Sequence, residues 1–130
     1  MHLRAGGTSL IFDMSGDTLT IAHWGKALAD LTDTSTRALR AALTRPVPHG
    51  GLDVAPLNLA LREHARGHNG HPALRGHRSG KSASNYFVLK SAKQDGNTVI
   101  AKFEDALAGL AIELKYELLA SEILKINSTI

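Results

Sequence analysis

Hydrophobic and polar positions alternate with a period of two through much of the second half of the chain. In residues 110–118, Leu110, Ile112, Leu114, Tyr116 and Leu118 fall on one face, and Ala111, Glu113, Lys115 and Glu117 fall on the other. That is the repeat of a half-buried strand. Residues 86–90 and 98–104 are β-prone runs on either side of an Asp95-Gly96-Asn97 turn, and residues 123–127 start a fourth strand. Four consecutive strands with short connections predict an antiparallel meander. Earlier in the chain, residues 8–13 and 19–24 flank a Ser15-Gly16-Asp17 turn and predict a hairpin that Trp24-Gly25 closes.

Between hairpin and meander the period changes. Leu28, Leu31, Leu39 and Leu43 have helical spacing, with Thr34 or Ser35 as the cap of a helix over residues 36–44 that Arg45-Pro46 stops. The same stretch also reads as a linker covering one end of the sheet. Residues 57–61 alternate like a short strand, whereas 60–66 suit one or two helical turns. Two pieces, 46–54 and 67–78, hold three of the four prolines and four of the seven histidines, together with several glycines. Gly opens backbone angles that other residues avoid and Pro removes a donor, so these pieces form a shaped loop. The expectation is a mainly β, antiparallel sandwich with one short helix, whose long Gly/Pro/His loop carries the function. The last strand runs to Ile130 without a cap or polar tail, leaving an apolar edge of the kind proteins usually cover. We therefore expect the natural polypeptide to continue beyond it.

Composition narrows the possibilities. A chain of 130 residues with 43% apolar content supports one globular domain. Aromatic content of 5% weakens any reading based on stacking platforms, and fifteen bases against twelve acids is too even for a nucleic-acid stripe. With no cysteine, disulfides, thiolate catalysis and cysteine-type zinc sites are excluded. No apolar run reaches ~18–20 residues, and the N-terminus lacks the apolar stretch of a signal peptide. The expected location is the cytoplasm, with neither nucleic acid nor membrane as partner.

Candidate chemistry is sparse. His64, His68, His71 and His77 are close in sequence, but their spacing fits no zinc finger, and Gly and Pro break any helical ligand face. Gly80-Lys81-Ser82 resembles the end of a phosphate-binding loop, but Arg75 stands where its first glycine belongs. Neither a metal nor a cofactor is expected. Asp53, Glu63, Asp95, Glu104, Asp105 and Glu113 are scattered over different elements, and no pair is placed as acid and base. Arg62, Arg66, Arg75, Arg78 and Lys81 could bind an anion or a polyhydroxyl ligand, or simply keep the loop soluble. Asp53, after Gly50-Gly51, could present its carboxylate to ligand hydroxyls or cap its own turn. Trp24 reads first as a half-buried core anchor and second as a sugar-stacking surface.

Taken in order, these pieces resemble the N-terminal domain of bacterial α-galactosidases of glycoside hydrolase family 36, the actinobacterial kind in particular. The opening His2-Leu3-Arg4-Ala5-Gly6-Gly7-Thr8-Ser9-Leu10 is similar to the family's first strand. The Leu19-to-Gly25 stretch, ending His23-Trp24-Gly25, and the Val47-to-Val54 block resemble the family's next two segments. Residues 67–78 resemble the family's Gly-Trp-x-Gly-Arg-Pro-x-Leu loop, with His68 where many relatives have Trp and His71 where many have Arg. Residues 103–127 are similar to the meander after that loop.

The resemblance implies part of a β-supersandwich, of the galactose-mutarotase-like kind, preceding a (β/α)₈ catalytic barrel. Such enzymes cleave terminal α-galactosides, among them melibiose and raffinose, with retention and through two barrel aspartates. A barrel needs at least ~200 residues, so this chain cannot hold one. For this chain the resemblance implies a non-catalytic role in oligomer assembly and at the active-site rim. The rim or interface candidates are Asp53, His68, His71, Arg75, Arg78 and Trp24, with the barrel, an α-galactoside and further copies as partners. The alternative is a free-standing β-sandwich module that binds carbohydrate or a protein partner and has no catalytic activity.

Overall fold

A computed structural model describes residues 1–44, 46–47, 58–77, 79–81 and 83–130. Among the described residues, seven strands form two antiparallel sheets. β1 (His2–Ala5), β2 (Thr8–Asp13) and β3 (Thr20–Lys26) make a three-stranded sheet in the order β1-β2-β3. β4 (Val88–Asp95), β5 (Thr98–Asp105), β6 (Leu110–Leu118) and β7 (Leu124–Thr129) make the meander, in chain order. Helix α1 (Asp33–Leu43) lies beside β3.

Period-two patterning sets which face each strand buries. Val99, Ala101 and Phe103 of β5 pair across the ladder with Tyr116, Leu114 and Ile112 of β6, and all six are buried. Leu3, Leu10 and Phe12 come down on them from the other sheet, and Phe12 meets Tyr116 with ring centroids 4.9 Å apart. The two sheets thus share one core, as a sandwich does.

Four elements depart from what the sequence pattern predicts. β1 has no hydrophobic period of its own, because two buried residues, Leu3 and Ala5, are too few to show one, and only the family resemblance of residues 2–10 places a strand there. The strand expected at 86–90 begins at Val88, because the backbone N–H groups of Tyr86 and Phe87 donate to the carboxylates of Asp105 and Glu63 and leave no ladder to join. Of the stretch 57–61, residues 58–61 are described, and they contribute an isolated bridge from Leu59 to Thr20, followed by a 3₁₀ turn at His64–Arg66. Helix α1 starts three residues early. Thr32 is its cap, accepting from Ser35 N at 3.1 Å while Thr32 N donates to Ser35 Oγ at 2.7 Å. A reciprocal capping box satisfies two helix-end donors, which a cap at Thr34 or Ser35 would not do.

The sheet edges are treated unequally. Gln94 Oε1 and Asn97 Oδ1 accept from the backbone N–H groups of His2 and Arg4 along β1. Residues 58–60 cover the start of β3 through Asn58 O with Ile21 N and Leu19 O with Ala60 N, both at 2.9 Å. β4 carries Lys90 and Lys93, charges that discourage edge pairing, and Leu89 N donates to Asp17 O. Among the described residues, β7 pairs with β6 alone.

Candidate functional site

In the loop between β3 and β4, one arginine gathers several ties to the sandwich. Arg66 Nε donates to Glu63 Oε2 at 3.0 Å, Nη1 to Asp17 Oδ1 at 2.7 Å, and Nη2 to the Phe87 carbonyl at 2.8 Å. Its guanidinium carbon sits 4.0 Å from the centroid of the Tyr86 ring, and the Tyr86 hydroxyl donates to Asp17 Oδ2 at 2.8 Å. Glu63 completes the clasp by accepting from Phe87 N at 2.6 Å. A planar, always-charged donor fork is the group that can serve two carboxylates and a carbonyl at once.

The environment sets the ionisation of these groups. Hydrogen bonds from Arg66 first and Tyr86 second hold the Asp17 carboxyl down at about 2. Burial pushes Glu63 up, against donors from Phe87 and Arg66. Burial also works against the charge on Asp105, but donors from Ala108 N, Tyr86 N and Asn85 outweigh it and leave the group below its usual range. Every carboxylate in this cluster has a structural partner. The cluster fixes a loop and leaves no acid or base free for chemistry.

The four described sequence candidates, Trp24, His68, His71 and Arg75, do not converge as one constellation. Asp53 and Arg78 lie outside the described residues. His71 and Arg75 are exposed, and Arg75 borders a cavity of ≈220 Å³ with Leu74, His77 and Ile130. Trp24 and His68 do come together. Both line a cleft of ≈720 Å³ that also takes in Ile21, Tyr116, Leu124 and Ile126. Trp24 is 60% exposed, so it is not the half-buried anchor its type suggests. It pairs with buried Leu10 and faces the core side, but at an edge strand with nothing described over it. The Nε2 of His68 is buried without a hydrogen-bond partner among the described residues. No three His, Asp or Glu side chains converge with metal-binding geometry among the described residues.

Sequence reasoning missed the clasp. Glu63 and Arg66 have the i, i+3 spacing of a local pair, a weak signal, but Asp17 and Tyr86 reach Arg66 only through the tertiary fold.

The family model for the glycosyl hydrolase family 36 N-terminal domain matches residues 17–130. The chain belongs to this family. It is similar to an α-galactosidase from Escherichia coli, with 36% identity over 108 residues, 82% of this chain and 14% of that enzyme. The chain therefore spans about one-seventh of this curated relative's length. No solved structure matches it. The family 36 match takes in β3, α1, the clasp and the whole meander, and it begins at Asp17, the residue that Arg66 and Tyr86 hold. No helix among the described residues is long and apolar enough to cross a membrane.

Proposed function

We propose that this chain acts as the non-catalytic N-terminal domain of an α-galactosidase that hydrolyses terminal α-galactosides such as melibiose and raffinose. The observation that carries the reading is the family match across residues 17–130, joined by 36% identity to an α-galactosidase. Acid–base and nucleophilic work falls to residues outside this chain, because the buried carboxylates described here are all engaged in holding backbone and Arg66. The domain contributes to oligomer assembly and to the active-site rim, with Trp24, His68, His71 and Arg75 as described contact residues and Asp53 and Arg78 as further ones. The cytoplasm is the proposed location.

The test is to isolate the native product from its source cell with an antibody to this chain, determine its intact mass, and assay it on melibiose and raffinose. The expected product is several times heavier than 13.9 kDa and hydrolyses both sugars. A 13.9 kDa product that binds galactosides saturably without cleaving them overturns the proposal in favour of a free-standing binding module.

A further inference from the structure

The loop that follows the clasp carries a chemically labile pair, Asn69-Gly70. Of the chain's five asparagines it alone precedes glycine; the others precede Leu59, Tyr86, Thr98 and Ser128. The backbone nitrogen after an asparagine can attack the side-chain carboxamide and close a succinimide ring. A side chain on the following residue obstructs that approach, and glycine has none. The other asparagines are also held. Asn58 Nδ2 donates to the Ile21 carbonyl at 2.9 Å, Asn97 Oδ1 accepts from Arg4 N at 3.2 Å, and Asn85 Nδ2 reaches Asp105 Oδ2 at 3.4 Å. Asn127 sits in the β6–β7 ladder opposite Lys115. Asn69 is exposed and lies outside every described helix and strand.

The fold holds the chain on both sides of this pair. His68 N donates to the Glu63 carbonyl at 3.2 Å, Ala73 N to the Arg62 carbonyl at 2.8 Å, and His64 Nε2 to the Gly70 carbonyl at 2.8 Å. The Gly70 N–H takes part in no backbone hydrogen bond among the described residues. The His68 imidazole packs on Gly70 itself: a Cβ built there would stand 2.8 Å from Nε2 and 3.2 Å from Cε1. That Nε2 is buried without a hydrogen-bond partner among the described residues. With the ring proton on Nδ1, it presents a lone pair beside the residue whose amide must lose its proton.

We propose that Asn69-Gly70 is a self-modifying site, at which the Gly70 nitrogen attacks the Asn69 side-chain carbonyl carbon while His68 Nε2 takes the amide proton. The new C–N bond closes the succinimide. The bond from Cγ to Nδ2 breaks, and the proton held by His68 passes to the departing nitrogen, which leaves as ammonia. Water then opens the ring at either carbonyl, giving aspartate or isoaspartate. Isoaspartate routes the main chain through the former side chain and adds a methylene to it. Either product places a carboxylate between His68 and His71, in a stretch flanked by Arg66 and Arg75. The loop thus ages from a neutral form at residue 69 to an anionic one, and this chemistry stands independently of the function proposed above.

The test incubates the purified chain at neutral pH in heavy-oxygen water and follows the tryptic peptide 67–75, which holds Asn69 alone among the asparagines, by mass spectrometry. Isoaspartate is identified with its methyltransferase. Peptide 67–75 is expected to lose its amide nitrogen and gain one labelled oxygen, while peptides with Asn58, Asn85, Asn97 and Asn127 stay unchanged over the same period. Asn69→Gln is expected to abolish the conversion. His68→Ala, with unchanged circular dichroism, is expected to slow it about tenfold, and added imidazole to restore part of the rate. The chain unfolded in urea is expected to convert more slowly than the folded one. Conversion of Asn69 no faster than that of the other asparagines overturns the proposal. An undiminished rate in His68→Ala also overturns it, leaving only the lability common to any Asn-Gly pair. Faster conversion in urea than in the folded chain shows that the fold hinders ring closure, and overturns it too.

Discussion

Arg66 has a side chain only 7% exposed, and its anionic partner Glu63 is 3% exposed. Removing the guanidinium by Arg66→Ala leaves the Glu63 carboxylate buried with Phe87 N as its remaining donor. Loss of one partner of a buried pair costs about 3–5 kcal/mol, and chemical denaturation is expected to show a loss of that size. Arg66→Lys is expected to recover only part of it, because a single ammonium cannot reach Glu63, Asp17 and the Phe87 carbonyl together. Asp17 governs the acid side of stability. Its folded pKa of about 2 lies below its ordinary 3.8, so the unfolded chain binds the proton more tightly. Its contribution is present above about 3.8 and is lost as pH falls through about 2. With Asp17 48% exposed, that contribution is small. Asp17→Asn is expected to flatten stability over that window, measured as the denaturation midpoint against pH. Glu63 acts with the opposite sign: burial raises its pKa, so its ionisation costs stability as pH rises through the folded value.

Among the elements, the β1–β2 turn shows how one backbone angle joins the two sheets. Gly6 has φ +56°, and the next residue's N–H donates to Glu122 Oε1 at 2.7 Å while the Thr8 hydroxyl donates to Oε2 at 2.8 Å. Glu122 lies in the turn between β6 and β7, so the first hairpin is pinned to the meander there. A Cβ on Gly6 would stand 2.8 Å from Glu122 Cγ in a left-handed backbone region. Gly6→Ala is expected to destabilise the fold by about 1–2 kcal/mol, read by thermal denaturation. Hydrogen exchange is expected to rise at Gly7 as its bond to Glu122 is lost.

In the molecule as a whole, the cleft beside β3 has an optical reporter, because Trp24, which lines it, is the single tryptophan. Being 60% exposed, it is expected to be quenched by iodide nearly as readily as free indole, with the long-wavelength emission of a hydrated ring. Strongly shielded emission from monomeric chain would contradict the open arrangement. The large buried side chains Phe103 and Leu10 belong to the part of the core where the two sheets meet.

The meander is legible from the amino-acid order alone, because β5 and β6 each carry four buried residues at strict alternation, and a one-residue slip would expose all of them. So are the helix between the hairpin and the loop, and the family the chain belongs to, through motifs kept in order along the chain. The rest is settled only when the chain is folded. The groups that hold Arg66 lie 49 and 21 residues away along the chain, at Asp17 and Phe87, and such contacts leave no periodic trace. Trp24 is of a type that suits a core, but only the count of strands in each sheet reveals that nothing described stands over it. Periodicity reports which face of a strand is apolar; whether another layer reaches far enough to cover that face is a property of the assembled sandwich.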